Sequence, residues 1–481
     1  MTAEALLKIL PLLIVAGWGV ILLILDLFIP QDRKVLTAVL AAFGLLGGMV
    51  AAVLQFGRSG VLFSGMLVID GFTSFMQILF LGTGLIAIAQ AYEYLRRRKI
   101  ERGEYYVLLT FSISGMMLMA MAGDLIVIFI ALELLSIPLY ILSGFARPQP
   151  ISEEAALKYF ILGAFASGFM VYGIALVFGA TATTSLAGVF QAITAATGSP
   201  GLVMVGAALI LVGLGFKVAA VPFHMWTPDV YEGAPSSVTA FMSVGAKAGG
   251  FAALLRILVA AFPGAGAIWG PVTMWIAALT MTWGNIAAIA QTNIKRMLAY
   301  SSIAHAGYIF MALPASAILP DATEAVRAAL FYLMAYAITN LGAWGVVLAL
   351  EKAEGTGLEI DDYGGLGSRR PLLALAMALF MLSFTGVPPT VGFIGKFYLF
   401  RAAIEANLIW LALIGVVTSL ISAYYYLRIV VVMYMQPGEP ESRTEVLLNS
   451  TVWLAGIGTL LFGVLPAPLL ALASLAGLLQ F

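Results

Sequence analysis

The sequence predicts an all-α polytopic membrane protein with about fourteen transmembrane helices. Of its 481 residues, 62% are hydrophobic and only 10% are charged, and the mean hydropathy is +1.04. Water-soluble domains carry roughly 25% charged residues, and no single core hides so much apolar surface. The composition therefore excludes soluble enzymes, nucleic-acid-binding proteins and disordered proteins, and it makes the lipid bilayer the solvent for most of the chain.

The predicted helices are apolar stretches long enough to cross the bilayer, which takes about 20 residues each. Charged or Gly/Pro-rich stretches separate them, and we expect no soluble domain between them. The helices are predicted near residues 6–29, 35–56, 71–91, 105–122, 124–144, 154–179, 202–221, 236–261, 268–290, 297–313, 325–349, 372–401, 408–435 and 447–479.

The basic residues of the loops predict the orientation of these helices. Fourteen Lys and Arg residues lie in one alternate set of loops, which includes residues 96–102 and Arg443, and only four lie in the opposite set. Lys and Arg concentrate in cytoplasmic loops. Both chain termini are therefore predicted to be non-cytoplasmic.

The cysteine and histidine content limits the chemistry expected of the chain. It has no cysteine, which removes the usual ligands of iron–sulfur clusters, thiolate haem and zinc–thiolate sites. Only two histidines, His224 and His305, are present, too few to ligate a pair of b-type haems. We expect no cofactor and no metal in this chain, so any coupled electron transfer takes place in another chain.

Two segments combine a lysine with a Gly/Pro interruption, and they predict an internal repeat. Lys217 lies in GLGFKVAAVPFH at 213–224, and Lys396 lies in TGVPPTVGFIGK at 385–396. The two segments stand an odd number of helices apart, so the second unit begins on the opposite membrane face. We predict inverted five-helix repeats of segments 4–8 and 9–13, each with a broken helix, as in transporters that conduct ions at such breaks. The corresponding parts are 1–104, a three-helix part; 105–262 and 263–435, the two repeats; and 436–481, the C-terminal helix.

Five charged side chains are predicted within the spans: Glu133, Lys158, Lys217, Lys247 and Lys396. Inserting each costs about 2.5–3.5 kcal/mol, and the set costs roughly 10 kcal/mol or more. A static ion pair explains them poorly because one carboxylate does not neutralise four lysines. Buried lysines exchange protons readily when a carboxylate is near, so Glu133, Lys217, Lys247 and Lys396 are predicted to relay protons. For Lys158, a modulating role and a side chain that extends to the surface stay open.

Three prolines are predicted to break helices beside these lysines. Pro222 lies in the first interrupted segment, and Pro388 and Pro389 lie in the second. Because proline has no N–H to donate, the second break frees the backbone carbonyls of Phe384 and Thr385. Free carbonyls at membrane depth need water or protein partners, which favours a hydrated break over a simple packing kink.

The other polar side chains within the spans leave two interpretations open. His224 is predicted to be an interfacial hydrogen-bonding residue or a secondary relay group, and His305 a relay or a packing residue. Arg256 is expected to extend its side chain toward the membrane surface. Hydroxyl and amide side chains either line a wet path or join helices, and they are Ser301, Ser302, Tyr308, Tyr332, Tyr336 and Asn340.

Four stretches carry a resemblance to a known family. They are GLGFKVAAVPFHMWTPDVYEGAP at 213–235, ALELLSIPLYIL at 131–142, QTNIKRMLAYSSIAHAGY at 291–308 and GFIGKFYLF at 392–400. Over essentially its whole length the chain resembles the subunit N family of bacterial proton-pumping NADH:quinone oxidoreductase, respiratory complex I, which includes mitochondrial subunit 2. The sequence motifs TPDVYEGAP and QTNIKR are typical of this branch rather than of the related subunits L and M.

The resemblance implies fourteen helices, two inverted five-helix repeats and a role for each charged residue. Glu133 matches the family's glutamate of segment five, and Lys217 matches its lysine partner on segment seven. Lys247 matches the central connecting lysine, and Lys396 matches the lysine of the second half-channel. Lys158 matches the lysine that modulates the glutamate. A glutamate stands at the position of Lys396 in subunits like M, so Lys396 favours N.

The resemblance also implies a non-redox, proton-translocating subunit of NADH:quinone oxidoreductase in a bacterial cell inner membrane. NADH, FMN, iron–sulfur clusters and quinone would be bound by other subunits. The implied partners are the antiporter-like neighbour M, small membrane subunits such as K and J, and lipid, with no nucleic acid. The alternatives are a subunit of a Mrp-type cation/proton antiporter or of a membrane-bound hydrogenase, a stand-alone solute transporter, and a purely structural membrane subunit.

Overall fold

The computed structural model describes residues 3–195, 199–262, 265–441 and 445–479, and helices dominate it. Arg443, one of the loop cations counted above, lies outside the described residues, as do residues 263–264 at the predicted boundary between the repeats. The helices are α1 (Ala3–Lys8), α2 (Leu10–Asp26), α3 (Val35–Leu54), α4 (Gly71–Arg97), α5 (Glu104–Met121), α6 (Leu125–Ser143), α7 (Pro150–Thr181), α8 (Leu186–Thr194), α9 (Pro200–Lys217), α10 (Trp226–Gly233), α11 (Ser236–Leu255), α12 (Gly266–Ile289), α13 (Ile294–Phe310), α14 (Ala312–Ile318), α15 (Thr323–Leu350), α16 (Leu366–Arg369), α17 (Pro371–Thr385), α18 (Val391–Glu405), α19 (Ile409–Met435), α20 (Val446–Val464) and α21 (Ala467–Leu475).

Twelve helical stretches of the described chain are long and apolar enough to cross a membrane, and α2 and α17 are shorter apolar helices. The predicted bounds agree closely with them: the span predicted at 35–56 is Val35–Leu54, and that at 408–435 is Ile409–Met435. The all-α membrane fold is thereby confirmed. The count of fourteen spans and the inverted relation of the two repeats stay predictions.

Proline-containing breaks interrupt the helices within three of the predicted spans. The span at 372–401 consists of α17 and α18, and the span at 447–479 consists of α20 and α21, with Pro466 between them. In the span at 202–221, helix α9 already ends at Lys217. Proline accounts for these interruptions because it has no N–H and its ring clashes with the preceding helical turn.

A short antiparallel hairpin, which the sequence analysis did not predict, lies between α3 and α4. Its strands are β1 (Gly60–Leu62) and β2 (Leu67–Ile69). Asp70 follows directly and caps α4 by accepting a hydrogen bond from the backbone N–H of Thr73 at 2.8 Å. Strands this short do not show the alternation that would separate them from an apolar helix.

The centre of the bundle is formed by α11, α13 and α15. Within the most apolar 18 residues of each helix, all residues are buried in α11 and the turn that continues it. The buried share is 89% in α13 with α14, and 89% in α15. The corresponding stretches of α3, α19 and α20 are less than half buried, and large apolar side chains such as Leu420, 74% exposed, point outward from them. Lys247 on α11 and His305 on α13 therefore lie on the most enclosed helices.

Arg256 is fully buried, so the expectation that it extends to the membrane surface is wrong. Its guanidinium donates to both carboxylate oxygens of Asp70, with Nη2 to Oδ1 at 3.1 Å, and to the carbonyl oxygen of Ala120 at 2.7 Å. A turn of π-helix, residues 256–261, begins at this arginine. The charge is neutralised by Asp70, which lies 186 positions away in the chain. The sequence of a single predicted helix does not reveal such a partner.

Candidate functional site

Glu133, the acidic member of the predicted site, is held by a hydroxyl group. It lies on α6 and is partly buried, and Ser167 of α7 donates from Oγ to its Oε1 at 2.6 Å. Glu133 and Lys217, both within the described residues, form no ion pair within 4.0 Å. The carboxylate therefore occupies a position beside Ser167 rather than against the lysine.

Lys217, the last residue of α9, is enclosed by aromatic rings and is 3% exposed. Its Nζ donates to the phenol oxygen of Tyr159 at 3.1 Å, and it lies 5.1 Å and 5.6 Å from the ring centres of Tyr159 and Tyr140. Trp226 stacks on Tyr159 with ring centres 4.4 Å apart. Aromatic faces attract an ammonium group, so these rings stabilise the charged form of Lys217 where no carboxylate lies within 4.0 Å among the described residues.

The break after Lys217 contains Pro222 and His224 and occupies residues 218–225, between α9 and α10. Within it, the backbone N–H of Val221 donates to Oγ1 of Thr280 on α12 at 3.0 Å. His224 is 9% exposed, and its Nδ1 has no hydrogen-bond partner among the described residues. This hydrogen bond therefore joins the segment that follows Lys217 to α12, a helix of the predicted second repeat.

Lys158 pairs with carboxylates other than Glu133. Its side chain is 41% exposed and forms ion pairs with Glu154 at 2.8 Å and with Asp229 at 2.7 Å. Arg296 of α13 also pairs with Asp229, at 2.8 Å. Burial raises the pKa of Asp229, but the hydrogen bonds from Lys158 and Arg296 outweigh it and hold the pKa below its usual value. Asp229, which the sequence analysis did not single out, therefore joins α7, α10 and α13.

Gly250 lets Lys217 approach the helix that carries Lys247. It lies on α11, one turn beyond Lys247. A Cβ atom at position 250 would lie 3.5 Å from both Cβ and Cγ of Lys217 and 2.5 Å from Cγ1 of Val218. Only glycine permits this approach, so α9 and α11 adjoin where they carry the two lysines.

Lys247 is 2% exposed and donates to both the backbone oxygen and Oγ of Ser302 on α13. The phenol of Tyr336 on α15 donates to the same Oγ at 2.9 Å. One turn away from Lys247 on α11, Ser243 accepts from Nδ2 of Asn340 at 2.6 Å. Three central helices therefore meet through polar groups at this lysine.

His305 lies one turn beyond Ser302 on α13 and bonds to phenols with both ring nitrogens. Its Nδ1 lies 2.6 Å from the phenol oxygen of Tyr332, and its Nε2 lies 3.1 Å from that of Tyr426. Tyr426 is in turn hydrogen-bonded to Ser301. An imidazole with a partner on each nitrogen accepts a proton on one side and releases a proton on the other.

Lys396 lies on α18, just past the second break, and is 3% exposed. Its Nζ donates to the backbone oxygens of Phe384 at 2.8 Å and Thr385 at 3.0 Å and to Oγ of Ser419 at 2.7 Å. The ammonium also lies 4.6 Å from the ring centre of Tyr308. The carbonyls predicted to be freed by the prolines are thus the ones that bind this lysine.

Pro388 and Pro389 lie in residues 386–390, which separate α17 from α18.

Four hydroxyl residues that contact the predicted site residues directly were not predicted from the sequence: Ser167, Tyr159, Tyr426 and Ser419. Each is a hydroxyl residue inside an apolar span, and that property was the available signal. Residues of this type are common in membrane helices, so the signal did not separate them from the others.

The chain resembles several known proteins in sequence. Residues 122–422 match the family described as NADH:quinone oxidoreductase/Mrp antiporter, TM. NADH-quinone oxidoreductase subunit N of Chloroflexus aggregans is 49% identical over 96% of this chain and 95% of its own length. NADH-quinone oxidoreductase subunit N of Trichlorobacter lovleyi is 45% identical over 97% of this chain and 96% of its own length.

Two solved structures share the fold. A chain of respiratory complex I from Thermus thermophilus with bound aureothin superposes with a TM-score of 0.82, at 34% identity, over 96% of this chain and 99% of that chain. A chain of the Mrp complex from Dietzia superposes with a TM-score of 0.86, at 24% identity, over 99% of this chain and 97% of that chain. At 24% identity the second likeness concerns the fold.

Proposed function

This chain belongs to the NADH-quinone oxidoreductase subunit N family, within the NADH:quinone oxidoreductase/Mrp antiporter family, and from this membership we propose what its buried groups do. It is an antiporter-like membrane subunit of proton-translocating NADH:quinone oxidoreductase, respiratory complex I. It relays protons across the membrane while electrons pass from NADH to quinone. The subunit N relatives, at 49% and 45% identity, favour this function over that of a Mrp-type antiporter subunit.

The observation that carries the relay is that each of the three buried lysines predicted to relay protons donates to a hydroxyl group. Lys217 donates to Tyr159 at 3.1 Å, Lys247 to Ser302, and Lys396 to Ser419 at 2.7 Å. A hydroxyl group both accepts and donates, so it takes a proton from an ammonium and releases its own to the next acceptor. Among the described residues no carboxylate lies within 4.0 Å of these three ammonium groups, so static ion pairs do not account for the lysines.

The central part of the relay runs from Lys247 to His305. Ser302 Oγ accepts from both Lys247 and Tyr336, and His305 follows one turn later on the same helix. Reversing the direction of the hydroxyl hydrogens needs rotation about one bond and no movement of the backbone. His305 then exchanges protons with the phenol of Tyr426 at 3.1 Å.

Glu133 controls the first half of the relay in this proposal. Beside Ser167 the carboxylate leaves Lys217 without an anionic partner, which favours release of a proton by the amine. A change of side-chain rotamer that brings the carboxylate toward Lys217 would favour the ammonium. Alternation between the two positions loads and unloads Lys217.

Membership of this family also supports a proposal about the cofactors, the neighbouring subunits and the location of the chain. We propose that the chain itself is non-redox, and that NADH, FMN, iron–sulfur clusters and quinone are bound by other subunits. Its proposed neighbours are the antiporter-like subunit M and small membrane subunits such as K and J. It lies in a bacterial cell inner membrane, with both termini on the non-cytoplasmic side.

The test is Lys217→Ala in the assembled complex, with Lys352→Ala as the control because the side chain of Lys352 is 39% exposed. We expect Lys217→Ala to lower proton pumping by about tenfold or more, since loss of a positioned proton-transfer group slows its step by 10²–10⁴-fold. Unaltered pumping would remove Lys217 from the mechanism. Co-purification of hydrophilic flavin and iron–sulfur subunits supports complex I, whereas a small hydrophobic antiporter cluster would contradict it.

A further inference from the structure

A cleft of about 330 Å³ opens between the first turns of α17 and the first half of α20. Ligand sites in proteins are clefts of about 300–1,000 Å³, so the space is large enough for part of a lipid. None of the proposed relay residues lines it. Its lining includes Arg369, Arg370, Leu372, Asn449, Val452 and Trp453.

The cleft lies at the membrane face predicted to be cytoplasmic. Helix α20 begins at Val446, directly after the loop of Arg443, one of the cations in the basic set of loops. Helix α17 begins at Pro371, and the segment before it packs on the same loop, with Gly365 against the backbone oxygen of Gly438. Both helices therefore run into the membrane from this face.

The cleft is closed at depth by contact between the two helices. Leu379 of α17 lies beside Gly456 of α20, where a Cβ atom would be 3.9 Å from Cδ2 of the leucine. Leu379 follows Pro371 by eight residues, which is about 12 Å along the helix. One leaflet of the hydrocarbon core is about 15 Å thick. The cleft above this contact therefore lies in the outer part of one leaflet.

Apolar side chains beside the cleft point away from the protein. Leu372 and Leu375 on α17 are 61% and 57% exposed, and Leu454 on α20 is 62% exposed. Within the described chain nothing covers these side chains, and lipid surrounds membrane helices at this depth. The molecule that meets both the cleft and these side chains is therefore a lipid rather than a water-soluble ligand.

The charge of the cleft selects among lipids. Arg369 and Arg370 are the charged residues in its lining, and both are positive. Glu445, which precedes α20, lies outside the lining and pairs with Arg97. Basic pockets between membrane helices on the cytoplasmic side bind anionic lipid headgroups. The cleft therefore favours an anionic phospholipid over a zwitterionic one.

The polar groups of the cleft suit a phosphate. Arg369 pairs with Glu439, but the two side chains are 59% and 82% exposed, and exposed ion pairs of this kind contribute little to stability. A phosphate can therefore replace the carboxylate, and a guanidinium binds phosphate through two parallel hydrogen bonds. Across the cleft, the amide of Asn449 both donates and accepts, so it recognises ester or hydroxyl oxygens beside the phosphate.

We propose that this space, called the lipid cleft below, binds one anionic phospholipid of the cytoplasmic leaflet. Arg369 and Arg370 bind its phosphate, and Asn449 binds neighbouring oxygens of the headgroup. An acyl chain packs on Leu372 and Trp453. The bound lipid joins the start of α17 to α20. The site goes beyond the proposed function, because it stands whether or not the buried lysines relay protons.

The first test compares two photoactivatable phospholipids in vesicles that contain the intact complex. Both probes carry the same diazirine-labelled acyl chain, but one has the anionic phosphatidylglycerol headgroup and the other the zwitterionic phosphatidylcholine headgroup. Each is present as a trace in phosphatidylcholine vesicles. After irradiation, cross-linked peptides that contain residues 371–379 or 446–457 are quantified by mass spectrometry.

We expect the anionic probe to cross-link these peptides on the order of tenfold more than the zwitterionic probe, because each basic residue at the membrane surface strengthens the binding of anionic lipid. The double variant Arg369→Gln with Arg370→Gln should reduce this preference to near one. Lysine at both positions keeps the charges and should keep part of the preference. The control is Arg33→Gln with Arg96→Gln, which removes two exposed arginines outside the lipid cleft and should change nothing.

The second test fills the lipid cleft and leaves both arginines in place. Asn449→Trp puts a large ring into the lining, and Ser450→Trp is the matched control because Ser450 is exposed and lies outside the lining. We expect Asn449→Trp to lower cross-linking of the anionic probe several-fold and Ser450→Trp to leave it near the native level. Equal cross-linking in the two variants would show that the arginines attract lipid without the cleft, which would overturn the site.

Four other results would overturn the lipid cleft. They are equal cross-linking by the two probes, a preference that persists in the double glutamine variant, displacement of the anionic probe by excess inorganic phosphate, and probes that label a neighbouring subunit while the two peptides stay unlabelled. The last result would show that another subunit covers this face. None of these results bears on Lys217→Ala, whose effect on pumping tests the relay separately.

Discussion

Lys396 donates from Nζ to the backbone oxygen of Phe384 at 2.8 Å, across the break between α17 and α18. The contact explains how an interrupted helix persists at membrane depth. The prolines that follow Phe384 cannot donate to its carbonyl oxygen, and the lysine supplies the missing hydrogen. The same ammonium reaches Ser419 at 2.7 Å, so the break and the proposed relay depend on one side chain.

Lys396→Met tests this double role. The variant removes the charge and leaves the carbonyl oxygen of Phe384 without its donor, at a cost of about 1–3 kcal/mol, whereas the carbonyl oxygen of Thr385 keeps its hydrogen bond from Ser419 at 2.8 Å. We expect proton pumping to fall by about tenfold or more, and the thermal midpoint of the complex to fall as well. Lys396→Arg is the control, because it restores a donor and should recover stability more than pumping.

Proton pumping and thermal unfolding of the purified complex measure the two effects separately. Full pumping by Lys396→Met would contradict a relay through this position. An unchanged thermal midpoint would contradict the conclusion that the hydrogen bond from Lys396 stabilises the helix break.

Gly250→Ala tests the approach of Lys217 to α11. The added methyl would lie 2.5 Å from Cγ1 of Val218 and 3.5 Å from Cβ of Lys217. We expect it to displace α9, to cost about 1–3 kcal/mol as overpacking, and to reduce pumping several-fold. Gly249→Ala is the matched control, since a methyl there meets its nearest neighbour, Leu135, at an ordinary 3.5 Å. Equal pumping by the two variants would show that the spacing of the lysines is not critical.

Tyr159→Phe tests the hydroxyl that accepts from Lys217. The ring and its stacking with Trp226 are kept, whereas the 3.1 Å hydrogen bond is lost. We expect the complex to assemble and pumping to fall several-fold, because the amine loses its acceptor while its cation–π contact remains. Tyr172→Phe, on the same helix and 61% exposed, is the control. Coupled turnover in sealed vesicles measures the effect, and normal turnover in Tyr159→Phe would exclude the phenol as a carrier.

Arg256 and Asp70 are predicted to contribute to stability. Removing one partner of a buried pair costs about 3–5 kcal/mol, so Arg256→Met should destabilise the subunit strongly. The double variant Arg256→Met with Asp70→Asn should be less destabilised, because no charge is left unpaired. Thermal unfolding of the complex measures both, and a double variant less stable than Arg256→Met would contradict the pairing.

The same pair predicts a pH dependence. Burial raises the pKa of Asp70, but Arg256 and the backbone N–H groups of Thr73 and Leu479 lower it further, so it lies below its usual value. A carboxyl whose pKa is lowered by folding stabilises the protein above its unfolded-state pKa. We expect this stabilisation to be lost as pH falls through the lowered pKa, and to be absent at every pH in Asp70→Asn.

The positions of the helices and of their buried charges were predictable from the sequence. Spans such as Val35–Leu54 and Ile409–Met435 agree with the hydropathy pattern because the bilayer requires a continuous apolar stretch of fixed length. The positions of Lys217, Lys247 and Lys396 within helices followed from the same pattern. Their roles in proton transfer stay predictions.

Their partners were not predictable. Asp70 for Arg256, Asp229 for Lys158 and Ser419 for Lys396 each lie on another element, and the last two are 71 and 23 positions away in the chain. In a soluble helix the apolar stripe identifies the inward face. In a membrane helix both the lipid-facing and the core-facing sides are apolar, so the sequence does not show which faces meet.

The sequence by itself therefore determined that this chain is a bundle of membrane helices with titratable groups at membrane depth, because hydropathy is a local property. Only the tertiary structure decided that Lys247 meets Ser302, that Arg256 meets Asp70, and that Arg369 and Asn449 line one cleft. Those relations depend on the packing of helices that are distant in sequence, and packing in lipid is governed by shape and polar contacts rather than by hydrophobicity.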